Sequence, residues 1–187
     1  MGGSDKCLMT LGGKTLLQRI LDTAMPQVGP LVLNTNSDPA LFASYSLPVA
    51  PDVIDGFAAP LAGVLPGLEW AQANAPGCDW VASFACDAPF APPDLVARLV
   101  AAVMGQDADM ACANSGGRDH PVFALWPVRL ADDLRKAVVN EELRKVDVWT
   151  GRYKIARVEF DAGQGDPFFN VNRPEDLEAA AALLGNA

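Results

Sequence analysis

The sequence predicts a three-layer α/β fold with a mainly parallel sheet. Short apolar runs of strand length alternate with helical patterns along all 187 residues. Several of the helical patterns begin at a proline, such as Pro39 and Pro92, and polar side chains follow several of the apolar runs. A chain of this length, half of whose residues are hydrophobic, is the size of one domain.

The N-terminal part of the chain predicts elements that alternate in type. Leucine and isoleucine recur at helical spacing after the Gly12–Gly13 turn until Pro26 and Gly29 end the pattern, and Asp38 followed by Pro39 is typical of a helix start. The predicted elements are a helix over 16–21, a strand over 31–33, a short helix over 38–46, a weak strand over 49–54 and a helix over 61–68 that Pro66 distorts.

The stretch WVASFACDAPFAPPDL, residues 80–95, is the most informative part of the sequence. Residues 81–85 predict a strand covered on both faces, and Asp87 follows at the point where the strand ends. Ligands of open α/β sheets bind at the carboxyl ends of strands, so Asp87 is a candidate magnesium ligand for a phosphate-bearing substrate. The alternative is an aspartate that forms a turn before Pro89, and without other evidence this alternative is favoured.

The C-terminal part of the chain continues the alternation. A loop with Gly116 and Gly117 separates two predicted strands, and Pro174 begins the last helix. The predicted elements are strands over 109–113 and 122–126, helices over 128–139 and 140–150, a strand over 155–160, an apolar strand-like segment over 168–171 and a helix that ends at Leu184.

Two sets of residues are candidates for phosphate and ligand binding. Gly2, Gly3 and Lys6 have the character of half a phosphate-binding loop, although a glycine-containing tail explains them equally well. Five polar residues follow predicted strands, and together they would line a pocket at one sheet edge, whereas any one of them alone is a turn former. They are Asn34, Asp52, Asp87, Asn170 and Asn172.

The segment GGRDHP contains Arg118, Asp119 and His120, the last being the one histidine of the chain. It is either an oxyanion-binding loop or a glycine-rich hairpin in which the histidine has no special role, and the residues alone favour the hairpin. The chain has no GxSxG motif and no suggestive Cys–His pair, so covalent nucleophilic catalysis has little support.

Composition narrows the class of protein. Fourteen basic residues against 23 acidic ones give a formal charge of −9, which argues against a nucleic-acid surface but permits small phosphorylated ligands. The four cysteines are scattered, which predicts reduced thiols in the cytoplasm rather than a zinc site or a disulfide framework. No apolar run approaches about 18 residues, so a membrane span is not expected.

Several motifs occur in an order that resembles the molybdenum cofactor guanylyltransferases, over nearly the whole chain. The motifs are MGGSDK, LVLNTN, PDVIDG with PLAG, FACDAPFAPPDL, GGRDHPVFAL and FFNVNRPEDL. The resemblance implies a Rossmann-like nucleotidyltransferase fold of the nucleotide-diphospho-sugar-transferase type. It also implies transfer of GMP from GTP to molybdopterin, with pyrophosphate as the second product and Mg²⁺ as the metal.

The resemblance also implies roles for individual residues. Lys6, Asn34, Asp52 and Asp87 would contact GTP, Asp87 would also hold the magnesium, and Gly63 would lie in a loop on the nucleotide side. The molybdopterin side would comprise Arg118, Asp119, His120, Asn170 and Asn172. Further expected partners are other molybdenum cofactor biosynthesis proteins and acceptor molybdoenzymes.

The sequence departs from the family pattern at one point. Family members carry a strand and the motif LAGGxSxR directly upstream of the MGG sequence, whereas Met1 opens this chain. We therefore expect a single nucleotidyltransferase domain over 1–187 without its first strand and part of its glycine-rich loop. Two alternatives remain: a related transferase that uses CTP or a sugar phosphate, and a truncated nucleotide-binding protein without catalysis.

Overall fold

The computed structural model describes residues 6–53, 60–163 and 165–185. Residues 10–50 contain two pairs of short strands and one α-helix. Strands β1 (Thr10–Leu11) and β2 (Lys14–Thr15) form an antiparallel hairpin, and Thr15 then caps helix α1 (Leu16–Ala24) by accepting a 3.0 Å hydrogen bond from Gln18 N. Strands β3 (Leu33–Asn34) and β4 (Val49–Ala50) pair in parallel.

The short helix between β3 and β4 begins where the sequence predicts. Asp38 accepts a hydrogen bond from Ala40 N, and a 3₁₀ helix follows over Pro39–Tyr45. Ser46 ends this helix with a left-handed backbone conformation. Helix α2 (Pro60–Asn74) is continuous through Pro66.

A four-stranded sheet forms the centre of the molecule. Its members are β5 (Trp80–Ser83), β6 (Met110–Ser115), β7 (Arg118–Pro127) and β8 (Ile155–Glu159), in the spatial order β5-β7-β6-β8. Strand β7 is antiparallel to β5 and to β6, whereas β6 and β8 are parallel. Strands β5, β6 and β8 therefore run in one direction, and β7 in the other.

Helices cover both faces of this sheet. Helix α3 (Leu95–Gln106) and Ile20 of α1 pack on the face that carries Phe123 and Leu125. Helices α2, α4 (Ala131–Val139) and α5 (Val146–Thr150) pack on the face that carries Trp126 and Met110. Because alternate residues of one strand enter different cores, the architecture has three layers and the predicted α/β class is confirmed.

Three predicted elements differ from the structure. The helix predicted over 140–150 is shorter, because residues 140–145 leave helical geometry at Glu142, whose φ is +53°, and only α5 is helical. Residues 165–173 form a loop at the position of the predicted strand-like segment, before helix α6 (Pro174–Gly185). Gly63 lies in the first turn of α2, so its predicted place in a loop is wrong.

The hairpin between β6 and β7 turns at Gly116 and Gly117. Their φ values of +54° and +79° fit a two-residue turn that requires a left-handed backbone at both positions. This geometry confirms the hairpin that the glycine pair predicts. Within the described ranges, no helix is long and apolar enough to cross a membrane.

Candidate functional site

Lys6, Asp87 and Asn172 lie together although they are far apart in the sequence. The Lys6 ammonium donates a 3.2 Å hydrogen bond to Asn172 Oδ1, and it lies near enough to Asp87 to favour the ionised carboxylate. The backbone N–H of Val171 donates to the Asp87 carbonyl oxygen at 2.8 Å. The segment that follows β5 is thus joined directly to the loop that precedes α6.

Asp87 is partly buried at the position that the strand pattern predicts. Burial raises the pKa of this carboxyl above its ordinary value of 3.8, while a backbone hydrogen bond and the charge of Lys6 oppose the rise. A carboxylate that is desolvated in this way gains stabilisation from an added cation. A partly buried carboxylate beside a lysine can accept a metal ion or a phosphate-bound cation, which keeps Asp87 a candidate ligand.

A second polar cluster surrounds the end of β3. Asn34 donates to Asp52 Oδ1 at 2.9 Å and to the Ala50 carbonyl at 3.1 Å. Asn36 also donates to Asp52, at 2.8 Å, and accepts from the Asp52 backbone N–H at 2.8 Å. A Cβ at Gly63 would lie 3.0 Å from Asn34 Oδ1, so a glycine at this position allows α2 to approach the cluster.

A polar cavity of about 540 Å³ opens beside the cluster formed by Lys6, Asp87 and Asn172. It lies between the start of β7 and the loop that leads into α6, and Asn172 belongs both to this cavity and to the Lys6 cluster. Its lining residues are Arg118, His120, Asp166, Phe168, Phe169, Asn170, Asn172, Arg173 and Asp176. The structure therefore brings four of the five residues predicted for the molybdopterin side to one cavity.

His120 is held by two residues of this region. Ser115 Oγ donates to Asp166 Oδ1 at 2.8 Å, and because the hydroxyl has one proton, it accepts the 2.7 Å hydrogen bond from His120 Nε2. His120 thus carries its proton on Nε2. Burial lowers the pKa of His120 below its ordinary 6.5, while the carboxylate of Asp166 opposes the shift.

Asp119 points away from the cavity that His120 lines. Neighbouring residues of a strand face opposite sides, and Asp119 accepts hydrogen bonds from Asn114 Nδ2 at 2.7 Å and from Arg157 Nε at 2.8 Å. These two donors lower the pKa of Asp119 although burial opposes them. The structure therefore separates Asp119 from the other predicted molybdopterin-side residues.

Asp166 and Arg173 are cavity residues that the sequence reasoning did not single out. Asp166 accepts from Phe168 N at 2.9 Å as well as from Ser115, so it links the β6–β7 hairpin to the loop. Arg173 lies inside the FFNVNRPEDL motif, which is the signal that could have found it. Within the described ranges, neither the Arg118 nor the Arg173 guanidinium hydrogen-bonds to another side chain.

Two predicted site residues, Gly2 and Gly3, lie outside the described residues. In the described part of the chain, no group of three or more histidine, cysteine, aspartate or glutamate side chains is arranged to hold a metal ion. A magnesium ion bound mainly by a substrate's phosphates needs only one or two protein carboxylates, so Asp87 fits that type of site.

Comparison with known proteins gives matches along most of the chain. The model of the family described as "MobA-like NTP transferase domain" matches residues 1–154. A molybdenum cofactor guanylyltransferase of Bradyrhizobium sp. (strain ORS 278) is 52% identical over 183 residues, covering 98% of this chain and 86% of that protein. One from Rhizobium meliloti (strain 1021) is 41% identical, covering 97% and 85%.

Solved structures share the fold. Molybdopterin-guanine dinucleotide biosynthesis protein A from Archaeoglobus fulgidus has a TM-score of 0.75 at 22% identity, covering 99% of this chain and 93% of its own. The 4-diphosphocytidyl-2C-methyl-D-erythritol synthase of Anaerococcus prevotii has a TM-score of 0.73 at 15% identity, covering 96% and 93%. The Rv0371C protein of Mycobacterium tuberculosis, solved in complex with manganese, has a TM-score of 0.65 at 16% identity, covering 95% and 91%.

The fold and the matching family model define an enzyme of the nucleotidyltransferase class, as the sequence predicts. At 52% identity to curated relatives, the classification can be made finer. The chain belongs to the molybdenum cofactor guanylyltransferase family.

Proposed function

We propose that this protein transfers GMP from GTP to molybdopterin, forming the guanine dinucleotide cofactor and releasing pyrophosphate. The names of its relatives support this activity. The observation that carries the proposal is the position of Asn172. It accepts from Lys6 beside Asp87 and also lines the Arg118–His120 cavity, so it joins a candidate phosphate site to a candidate acceptor site.

The nucleotide is assigned to the side of the site that contains Lys6, Asp87, Asn34, Asp52 and Gly63. The N-terminal turn of α2, which contains Gly63, adds the positive end of a helix dipole near the Asn34–Asp52 pair. Gly2 and Gly3, which lie outside the described residues, are proposed for the nucleotide side from the sequence alone.

Molybdopterin is assigned to the polar cavity. The guanidinium groups of Arg118 and Arg173 are suited to bind its phosphate, and Asn170 and Asn172 supply amide groups for the pterin. Asp119 is proposed to have a supporting role. It lies on the opposite face of β7, where it accepts hydrogen bonds from Asn114 and Arg157.

The reaction forms one bond and breaks one bond. A phosphate oxygen of molybdopterin attacks the α-phosphorus of GTP, and the bond from that phosphorus to the β-phosphate oxygen breaks, so that pyrophosphate leaves. A phosphate nucleophile is anionic at neutral pH and needs no general base. The work of the protein is to position the two phosphates, while Lys6 offsets charge on the leaving group.

A divalent cation, proposed to be Mg²⁺, would be held by Asp87. The partly buried carboxylate with its raised pKa supports this assignment. When bound, the cation offsets negative charge on phosphate oxygens. The manganese complex of a protein with the same fold agrees with a divalent ion in this class of proteins.

Pyrophosphate release tests the proposed function. The chain is incubated with molybdopterin, MgCl₂ and either GTP or CTP, and we expect release from GTP that depends on molybdopterin. Lys6→Gln should lower the rate by about tenfold to a hundredfold, since one charge-offsetting donor is lost. Lys14→Gln is the matched control, because Lys14 pairs with Asp22 at the surface.

Two results would contradict this assignment. Release that is faster with CTP would favour a related transferase that uses CTP. Two solved structures with cytidyl-transfer names share the fold of this chain. Binding of GTP with no release in a folded chain would favour a nucleotide-binding protein without catalysis. We place the protein in the cytoplasm as a single transferase domain that acts beside other cofactor biosynthesis proteins and acceptor molybdoenzymes.

A further inference from the structure

The side chains of Ser115, His120 and Asp166 form a hydrogen-bonded chain at the wall of the polar cavity. Ser115 and His120 are both more than nine-tenths buried, with 4% and 7% of their surface exposed. The Ser115 hydroxyl lies between the other two groups, 2.7 Å from His120 Nε2 and 2.8 Å from Asp166 Oδ1. Because Asp166 Oδ2 is 4.0 Å from Nε2, the carboxylate reaches the imidazole only through the hydroxyl.

The direction of these hydrogen bonds follows from the number of protons. An ionised carboxylate is an acceptor only, so Ser115 gives its single proton to Asp166. The hydroxyl oxygen then accepts from His120, which requires the proton of the ring to be on Nε2. Since burial lowers the pKa of His120, the ring is neutral at pH 7.5 and its Nδ1 atom carries a lone pair.

Nδ1 is the nitrogen of the ring that a ligand in the cavity can reach. Phe168 packs against the ring, with 4.6 Å between the two centroids, and Ser115 occupies the Nε2 edge. Within the described ranges, Nδ1 makes no hydrogen bond, yet Asn114 Oδ1 is the one side-chain nitrogen or oxygen there that is fully buried without a partner. Nδ1 is therefore not fully buried, and His120 lines the cavity.

We propose that Ser115 and Asp166 are positioning residues that hold the neutral His120 ring with Nδ1 as a hydrogen-bond acceptor for an N–H group of the substrate's pterin. This inference rests on the proposed function, which supplies a pterin as the ligand. A pterin carries an amino group and ring N–H donors, whereas a phosphate anion presents acceptors to the Nδ1 lone pair. His120 therefore selects the pterin end of the substrate, while the guanidinium groups of Arg118 and Arg173 select the phosphate.

Nitrogen NMR tests the tautomer directly, because the chain has one histidine. Untagged protein labelled with ¹⁵N-histidine should show, at pH 7.5, a protonated Nε2 and an unprotonated Nδ1. Ser115→Ala removes the hydroxyl and should let the proton exchange between the two nitrogens. Ser115→Thr keeps a hydroxyl and should restore the original spectrum.

Ser83→Ala is the matched control for the serine variants. The Ser83 hydroxyl accepts a 2.8 Å hydrogen bond from Trp126 Nε1, so this variant also removes a hydroxyl acceptor of a ring N–H from the same sheet. It should leave the histidine spectrum unchanged. Circular dichroism checks that all variants are folded, and the tautomer of the original chain tests the proposal without any variant.

Two probes identify the group that His120 contacts. The compound 6-hydroxymethylpterin monophosphate should move the Nδ1 resonance of the original chain saturably, and inorganic phosphate should leave it in place. In Ser115→Ala, the pterin probe should bind about threefold to tenfold more weakly, as expected for one neutral hydrogen bond. The KM for molybdopterin should rise by a similar factor, while the KM for GTP stays unchanged.

Three results would overturn the proposal. A proton on Nδ1 in the original chain would show that Ser115 donates to His120 instead of accepting from it. The original tautomer and probe affinity in a folded Ser115→Ala would show that the hydroxyl does not position the ring. Movement of Nδ1 by inorganic phosphate, and not by the pterin probe, would show that His120 faces the phosphate.

Pyrophosphate release tests the proposed function separately. A pterin-dependent shift of Nδ1 in a chain that releases no pyrophosphate from GTP would contradict the proposed function and support this inference. Release from GTP without any shift of Nδ1 on addition of the pterin probe would contradict this inference alone.

Discussion

The carboxyl of Asp87 has a raised pKa because it is partly buried, and this has a consequence for stability. The native state binds more protons than the unfolded state between pH 3.8 and the raised pKa, so stability falls as pH rises through that window. Asp87→Asn should therefore raise the melting temperature at pH 7. Calorimetry of both proteins without metal measures the difference.

The same substitution separates stability from activity. Loss of the carboxylate should lower GMP transfer by roughly a hundredfold or more, and MgCl₂ with GTP should raise the melting temperature of the original chain more than that of Asp87→Asn. Asp94→Asn is the control, because Asp94 is an exposed carboxylate at the start of α3. Full activity in Asp87→Asn would refute the role proposed for this residue.

His120 gives the opposite pH dependence. Its pKa is lowered on folding, so the unfolded state binds more protons between the lowered value and 6.5, and stability is lost as pH falls through that window. Urea unfolding at pH 7.5 and 5.5 should show a smaller acid-induced loss in His120→Gln than in the original chain. An equal loss in both proteins would show that His120 does not titrate in this way.

The start of α6 shows how one element positions the site. Asp176, in the first turn, accepts hydrogen bonds from the backbone N–H groups of Asn172 and Arg173, both at 2.9 Å. These two hydrogen bonds cap the helix, and they also fix the loop that carries the Asn172 and Arg173 side chains. Asp176→Ala should cost about 1 kcal/mol of stability and raise KM for molybdopterin more than it lowers kcat.

Glu178→Ala is the matched control for this element, because Glu178 is exposed on the same helix. It should leave both the melting temperature and KM near their original values. A variant at Asp176 that loses stability while its KM for molybdopterin is unchanged would show that the contact is a helix cap only.

Local sequence signals predicted individual elements better than their arrangement. The Asp38 cap, the Gly116–Gly117 turn and the apolar run before Asp87 are local, and the structure has each of them. The reversed direction of β7 is not encoded in apolar spacing, because periodicity is the same for either direction. The face on which Asp119 lies depended on the register of β7 with β6, which the sequence does not reveal.

At the scale of the whole molecule, the polar site depends on contacts between distant segments. Lys6 and Asn172, which are 166 residues apart in the sequence, are hydrogen-bonded to each other. Ser115 and Asp166, which are 51 residues apart, are also hydrogen-bonded. No short-range pattern predicts such pairs. The residues alone already proposed Asn170 and Asn172 for a pocket, but they favoured a hairpin with no special role for His120. The resemblance to a family added Arg118 and His120 to the same side.

The core on the Trp126 face of the sheet should be separable from the site by mutation. Leu134 of α4 is fully buried in the core formed with α2 and Trp126, whereas the polar cavity lies at the start of β7 and before α6. Leu134→Ala should cost about 2–5 kcal/mol, since it removes buried methyl groups and leaves a cavity. Val139→Ala, at an exposed position of the same helix, should cost well under about 1 kcal/mol.

Activity at low temperature distinguishes a stability effect from a site effect. If Leu134 acts only through packing, the folded fraction of Leu134→Ala should retain the original KM for GTP and molybdopterin at 15 °C, and its loss of activity should follow its melting curve. A changed KM in the folded protein would mean that this core transmits strain to the site, through α2 and the Asn34 contact at Gly63.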